Sequence, residues 1–575
     1  MKRIVGLVII ACALLQAEAL VEPQLAEQMN AASGSERIPV LIVLKTQAAL
    51  DGREPGSAVI ERLKHSAAET QSALLSDLRA LDASEIEPLW IVNAVSCHLT
   101  RAGILRLAER PDVWFIQRAR ISVDDPFGIE TRSATADRLL GKGWQITKVG
   151  ADSVWNLLGV RGDSVVIGFI DTGINYNHVD LASHLWTDPN YPHHGWNFEQ
   201  NSDDPIDIQG HGTFMAGLVA SDGTAGETCG IAPRAQIMAC RVRTTVDTIA
   251  ENTLFAAVQF CLAPPLSPAH GADMILMPLS WMYAWNPRRA LWRQTLDNVA
   301  AAGLLMLCPG RGSSTPPDDI AAPADCPSPW LHPANQPGGL SGALCVSGVD
   351  ADDNRAPFSP FGPVTWQSIA PFNDYPYNPG VGLIKPDVSA PSVNLNSLSY
   401  TSDTGYVNGW SGTSLATSIA AGVMALMHAK AGSGVLSPAQ SDSLLELTAK
   451  PLGTPPKNNT YGTGRVSAYQ AVLATPSSGI RESRSANCGL RSADLRCAPN
   501  PAVALTIISY GLPQNTAVEL GLYDLDGRLV RILASGIQSP GRHEYTLERD
   551  GLPSGVYFCT LQSAGQFATA RLVVD

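Results

Sequence analysis

A chain of 575 residues exceeds one ordinary core, because a domain usually takes about 100 to 200 residues, so several domains are expected. Hydrophobic residues make up 45% and charged residues only 16%, which gives enough apolar surface to fold throughout and excludes wholesale disorder. A net charge of -13 with no basic stripe excludes an electrostatic nucleic-acid binder.

The chain opens with Lys2-Arg3, an apolar run from Ile4 to Leu15 and Ala17-Glu18-Ala19, the order of a secretory signal peptide over residues 1–19. A secreted or cell-surface destination follows. Cys12 also closes a short lipoprotein-like box, the lesser alternative. The run is too short to span a bilayer and no later stretch reaches 18 unbroken apolar residues, so no membrane span is expected. Removing Cys12 with the signal leaves ten of the 11 cysteines in an oxidising compartment. Pairing is open there, and spacing does not fix its connectivity, although Cys488 and Cys497 would close a small loop. No C-x-x-C pair suggests a zinc site.

Residues 37–120 read as strand (Ile38 to Leu44), helix (Val59 to Leu81), one or two strands (Leu89 to Leu99), helix (Ala102 to Glu109) and strand (Val113 to Gln117), a ferredoxin-like β-α-β-β-α-β order. Periodicity then fades, and 121–148 reads as a linker open to proteolysis. Over 149–474, apolar runs alternate with helical patterns. Ser164 to Ile170, Gln236 to Val242, Asp273 to Met277, Leu304 to Cys308 and Ala343 to Val349 are apolar on both faces. This predicts an α/β domain with a doubly wound, mostly parallel sheet. Ser313 to Pro333 reads as a surface loop and 475–499 as a second linker. Residues 500–575 alternate apolar and polar between turn signals such as Asp526-Gly527 and Pro553-Ser554-Gly555, which predicts a small all-β sandwich.

Three islands of the middle domain bring Asp, His and Ser into one order: Ile170-Asp171-Thr172-Gly173, Gly210-His211-Gly212-Thr213 and Gly412-Thr413-Ser414-Leu415-Ala416. A hydroxyl is a weak nucleophile until a histidine takes its proton, and a carboxylate fixes that histidine's tautomer and stabilises its cation. Ser414 opens an Ala- and Gly-rich helix, whose positive end would face a developing anion.

These islands resemble those of the subtilisin-like serine peptidases. So do Asn175-Tyr-Asn-His-Val-Asp-Leu181, Gly230-Ile-Ala-Pro233, Phe358-Ser-Pro-Phe-Gly362, Lys385-Pro-Asp-Val-Ser-Ala-Pro391 and Tyr461-Gly-Thr-Gly-Arg-Val466. The resemblance implies that Asp171 orients, His211 acts as base and then acid, and Ser414 attacks a peptide carbonyl, with proteins or peptides as substrates. It also implies that residues 37–120 are an inhibitory propeptide. The tail, from Asn500-Pro501 through Leu552-Pro-Ser-Gly-Val-Tyr557 to Arg571-Leu-Val-Val574, resembles sorting domains of type IX secretion and implies that machinery as a partner. The family often binds calcium, so structural calcium is implied, although no acidic loop shows regular ligand spacing.

The chain departs from the family at three places. Pro309-Gly310-Arg311-Gly312 puts Arg311 where the family has its oxyanion-binding Asn. The usual Ser-Leu-Gly of the substrate-pairing strand reads Pro278-Leu279-Ser280, and Pro278 has no N–H to donate. Ser418 stands in for a helix proline, a mild change. The leading expectation is a secreted serine endopeptidase made as a proenzyme, and the alternative is a surface pseudopeptidase. A third reading rests on Asp171-Thr172-Gly173 and Asp403-Thr404-Gly405 as the paired signature of aspartic peptidases, which needs both carboxylates in an apolar β framework. Trp281, Trp285 and Trp292 would either line a cleft or pack.

Overall fold

The computed structural model describes residues 19–50, 54–122, 141–243, 248–265, 267, 271–282, 285–311, 320–335, 338–377, 380–476, 495–500, 502, 504–512, 515–523, 529–549, 551–563 and 566–574. The predicted signal peptide up to Glu18 and most of both predicted linkers lie outside them.

Residues 20–122 form one unit around a five-stranded sheet, with Leu20–Val21 added parallel to Val113–Arg118 and the order continuing through Arg37–Leu44, Ala94–Thr100 and Ser84–Leu89. It begins earlier than the predicted residue 37, because Leu20–Val21 and the helix Pro23–Ala31 pack onto its edge through Leu25 and Met29. The strand Arg37–Leu44 is buried on both sides. Ile38, Val40 and Ile42 face the unit's own helices Gly56–Ala80 and Arg101–Ala108, while Leu41 and Val43 join the core of the following domain. Alternation with period two therefore makes this sheet a lid laid on its neighbour.

The middle domain is built on seven parallel strands, in the order Val388–Pro391, Ala343–Val349, Met306–Pro309, Met274–Leu276, Val166–Asp171, Gln236–Arg241 and Gly195–Asn197. Successive residues feed opposite cores. Leu276 and Leu307 face the helices His211–Ala220 and Thr413–Ala431, whereas Ile275 and Met306 face Glu251–Leu262 and Asn286–Ala301. This is the predicted doubly wound architecture. Helix Trp144–Val149 takes in the last residues of the predicted 121–148 linker, and its Ile146 and Val149 are buried in the domain core. The predicted surface loop also differs: Ile320, Ala321, Ala322, Ala324 and Cys326 are buried, and Ala322 bridges to Trp281.

The tail packs a three-stranded sheet (Arg496–Ala498, Leu505–Leu512, Gly541–Glu548) against a four-stranded one (Leu529–Gln538, Thr516–Tyr523, Gly555–Ser563, Gln566–Val574). All pairings within these sheets are antiparallel, and the core holds Ile508, Leu520, Leu522, Leu547, Leu561 and Leu572. The sandwich takes in Leu495 to Ala498 from the predicted 475–499 linker.

Candidate active site

The strand Val166–Asp171 ends at the carboxyl edge of the parallel sheet, where a doubly wound fold leaves its crevice, and two helices open there. His211 begins one helix and Ser414 lies in the first turn of the other. Gly210, just before His211, has φ 112°, and a Cβ there would lie 2.7 Å from the Tyr400 ring, so only glycine turns the chain into the helix at this point. Gly212 is fixed by space: a Cβ would sit 1.9 Å from the Gly173 carbonyl oxygen.

His211 Nδ1 lies 2.8 Å from both carboxylate oxygens of Asp171, and both side chains are buried. That contact assigns the Nδ1–H tautomer and leaves Nε2 as the basic nitrogen. Thr172 N–H donates to Asp171 Oδ1 at 2.7 Å. Ser414 is 5% exposed, and its Oγ donates to the Pro278 carbonyl at 2.9 Å. Ser418 Oγ donates to Ser414 O at 3.0 Å, a contact that the usual proline would lack.

Sequence reasoning missed Asp207, which ties the first two islands together. Buried, it accepts from Gln209 N (2.8 Å), Gly210 N (2.9 Å), Thr213 N (2.9 Å), Thr213 Oγ1 (2.7 Å) and Thr172 Oγ1 (3.1 Å). Thr172 Oγ1 in turn accepts from Gly212 N at 2.8 Å. Burial raises the Asp207 carboxyl above its ordinary range, and these donors pull it partly back. The signal was available in Asp207-Ile-Gln-Gly210, where an aspartate can accept from the backbone two and three residues on.

Arg311 follows the strand Met306–Pro309 and is half-buried; its carbonyl accepts from Thr413 Oγ1 at 2.6 Å. Pro278, Leu279 and Ser280 are buried, and Trp281 and Ala322 exchange backbone hydrogen bonds of 3.1 and 2.9 Å just beyond them. Sequence reasoning also missed the edge strand Thr248–Ala250. Arg120–Ser122 from the N-terminal unit pairs with it antiparallel, and Glu251 N donates to Ala119 O at 2.6 Å.

Around this edge the N-terminal unit makes a dense polar seal. Gln259 Oε1 accepts from Trp90 N and Ile91 N, Asn298 Nδ2 donates to Ile91 O, and Asn252 Nδ2 donates to Glu87 Oε2. Arg288 joins Glu22 (3.3 Å) to Glu251 (3.4 Å), and Trp292 Nε1 donates to Glu251 Oε1 at 2.7 Å. Trp281 and Trp292 are therefore packing residues, buried with ring centroids 4.8 Å apart, while Trp285 meets Phe115 edge-on at 5.2 Å.

The two Asp-Thr-Gly segments have different partners: Asp171 engages His211, whereas Asp403 Oδ1 accepts from Asn175 Nδ2 at 3.1 Å. Among the described residues no three acidic, histidine or cysteine side chains converge as a metal-ligand set.

A model of the Subtilase family matches residues 162–464, more than half of the chain. The chain belongs to the subtilase family. A secretion system C-terminal sorting domain matches residues 497–575 of this subtilase. Bacillopeptidase F of Bacillus subtilis (strain 168) is 27% identical over 457 residues, 75% of this chain and 29% of that protein. Thermitase of Thermoactinomyces vulgaris is 28% identical over 332 residues, 56% of this chain and 94% of that protein. The crystal structure of the epidermin leader peptide processing serine protease from Staphylococcus aureus shares the fold. Its TM-score is 0.52 at 16% identity, covering 78% of this chain and 100% of that one. The subtilase fold excludes the aspartic-peptidase reading, which requires an all-β framework. No helix of the described residues is long and apolar enough to cross a membrane.

Proposed function

We propose that this subtilase is a secreted serine endopeptidase, made as a proenzyme and acting through an acyl-enzyme on Ser414. The observation that carries the reading is the buried 2.8 Å contact of His211 Nδ1 with Asp171, which leaves Nε2 to serve as base. In the first half-reaction His211 takes the Ser414 proton as Oγ bonds to the peptide carbonyl carbon. The tetrahedral anion forms at the positive end of helix Thr413–Ala431. Collapse breaks the C–N bond, and His211 returns the proton to the leaving amine. Water then repeats the sequence on the ester, with His211 again as base and acid, and frees the new carboxylate.

Arg311 is assigned to the oxyanion side, in place of the usual amide. Pro278, Leu279 and Ser280 are assigned to one wall of the substrate channel, and Thr248–Ala250 to the other as an edge to which an extended peptide adds. The pairing of Arg120–Ser122 with that edge supports an inhibitory role for residues 20–122, which autolysis beyond Ser122 would convert to a removable unit. The sorting-domain match supports export and surface delivery through the corresponding secretion machinery.

A pseudopeptidase is the second reading, favoured by Arg311 in the oxyanion turn. Hydrolysis of an unfolded protein by secreted wild type and Ser414→Ala separates the two. Cleavage by wild type alone, with Ser414→Ala also retained at full length, is expected. No cleavage by wild type after removal of the N-terminal unit favours the pseudopeptidase.

A further inference from the structure

We infer that Cys497 and Cys559 are a redox pair that closes into a disulfide across the two sheets of the tail sandwich. Cys497 lies in Arg496–Ala498 of the three-stranded sheet and Cys559 in Gly555–Ser563 of the four-stranded sheet, so the bond crosses the interior. Their Sγ atoms are 3.6 Å apart, in contact through the core. Disulfide formation closes this gap to the bonding distance of about 2.05 Å.

The two thiols are unequal in a way that orders the chemistry. Cys497 is half-buried and Cys559 fully buried, so an external oxidant reaches Cys497 first. The neighbouring Cys559 thiol lowers the Cys497 pKa, with burial opposing, and the same contact together with burial raises Cys559. The Cys497 thiolate attacks a small-molecule or protein disulfide, forms a mixed disulfide and expels one thiolate. Cys559 then loses its proton and attacks Cys497 Sγ, expelling the second thiolate. Two cysteine thiols are oxidised and one external disulfide is reduced to two thiols. By contrast Cys240 of strand Gln236–Arg241 and Cys261 of helix Glu251–Leu262, 3.8 Å apart, are both fully buried and give an oxidant no approach in the folded domain.

The closed loop takes in every strand of the sandwich except Gln566–Val574, which Gly555–Ser563 already holds through nine paired residues. It also anchors Arg496–Ala498, the strand by which the chain from the peptidase domain enters the tail. The tail thus carries an oxidation-dependent latch at its point of attachment, with a chemistry that stands apart from peptide hydrolysis and export.

The test uses the purified, reduced full chain exposed to glutathione disulfide, so that it is independent of proteolysis and of export. Free thiols are then alkylated in denaturant, and the peptides are mapped without reductant. The expected result is a peptide joining Cys497 to Cys559 that disappears on reduction, with a tail unfolding temperature several degrees above that of the reduced chain. Cys497→Ser and Cys559→Ser should each abolish that gain, and the double variant should lose no more than either. Glutathione retained on Cys497, a Cys488–Cys497 peptide, or alkylation of both cysteines in the oxidised sample would overturn the inference.

Discussion

Thr413 Oγ1 donates a 2.6 Å hydrogen bond to the carbonyl oxygen of Arg311, so the residue just before the proposed nucleophile clamps the turn that departs from the family's oxyanion-binding pattern. The turn is further confined at Gly310, where a Cβ would approach the Pro360 side chain to 2.7 Å. The backbone at this turn is thereby held next to Ser414 whatever the side chain at 311.

Because that backbone is fixed, Arg311 substitutions report on the side chain alone. If Arg311 supplies the oxyanion donor, Arg311→Ala should lower kcat by about 10²-fold, the scale of losing one such donor, with KM nearly unchanged. Arg311→Asn should not exceed wild type, because the longer guanidinium and its full charge are what the site uses. Steady-state kinetics on an unstructured protein substrate measures both. A rise in kcat for Arg311→Asn would show that the arginine displaced a donor.

Asp207 should behave as a positioning residue. Asp207→Ala leaves three backbone N–H groups and two hydroxyls around the His211 turn without this acceptor, each costing roughly 1–3 kcal/mol if it stays buried and unpaired. A misplaced His211 should then reduce kcat/KM by about 10²-fold. Asp207→Asn, which keeps an acceptor oxygen, should recover part of both losses. Paired thermal melts and kinetics test this, and a stability loss with unchanged kcat/KM would confine Asp207 to folding.

Just before the outer strand Val388–Pro391, Lys457 Nζ lies 2.6 Å from Glu446 Oε1 and 3.5 Å from Asp387 Oδ1, while Lys385 Nζ lies 2.6 Å from Asp387 Oδ2, and these side chains have no exposure. Removing one cation from such a cluster strands buried negative charge, so Lys457→Met should destabilise the domain by about 3–5 kcal/mol. The exposed Lys450, paired with Asp353 at 2.8 Å, provides the contrast, since Lys450→Met should cost under about 1 kcal/mol. Denaturant titration of both variants compares them directly.

Glu87 gives the seal of the N-terminal unit a pH dependence. Burial raises its carboxyl above the ordinary 4.5, with the Asn252 hydrogen bond opposing. A carboxyl whose pKa rises on docking takes up protons as it docks. Affinity of the severed N-terminal unit should therefore be highest below 4.5, fall as pH rises through the raised value, and then level off. Glu87→Gln should flatten this fall. Surface-plasmon binding of residues 20–122 to the remainder across pH 4 to 8 checks it, and an unchanged slope in Glu87→Gln would assign the dependence elsewhere.

Much of the fold was legible because the strands carry apolar residues on both faces, as in Met274–Leu276 and Met306–Pro309, which only a two-sided sheet accommodates. The Asp171, His211 and Ser414 islands were legible because each sits at an element end marked by glycine. What escaped was long-range. Thr248–Ala250 is three residues with no strand pattern of its own, and its role arises from pairing with Arg120–Ser122. Ile320 to Cys326 sits in a Pro-rich stretch that reads as surface, yet its apolar side chains are covered by Trp281 and its neighbours. Sequence left the pairing of Cys497 open, with Cys488 close enough to close a small loop, whereas sheet stacking places Cys497 against Cys559.

The central claim, that Ser414 is a nucleophile activated by the Asp171–His211 pair, is tested most directly by a fluorophosphonate probe followed by peptide mapping of the modified residue. The protein freed of residues 20–122 should carry the probe on Ser414. Asp171→Asn should react slower by about 10⁴-fold, as expected when the carboxylate no longer fixes the histidine tautomer. An unmodified Ser414 in the wild type, or labelling of Ser414 at an equal rate in Asp171→Asn, would contradict it.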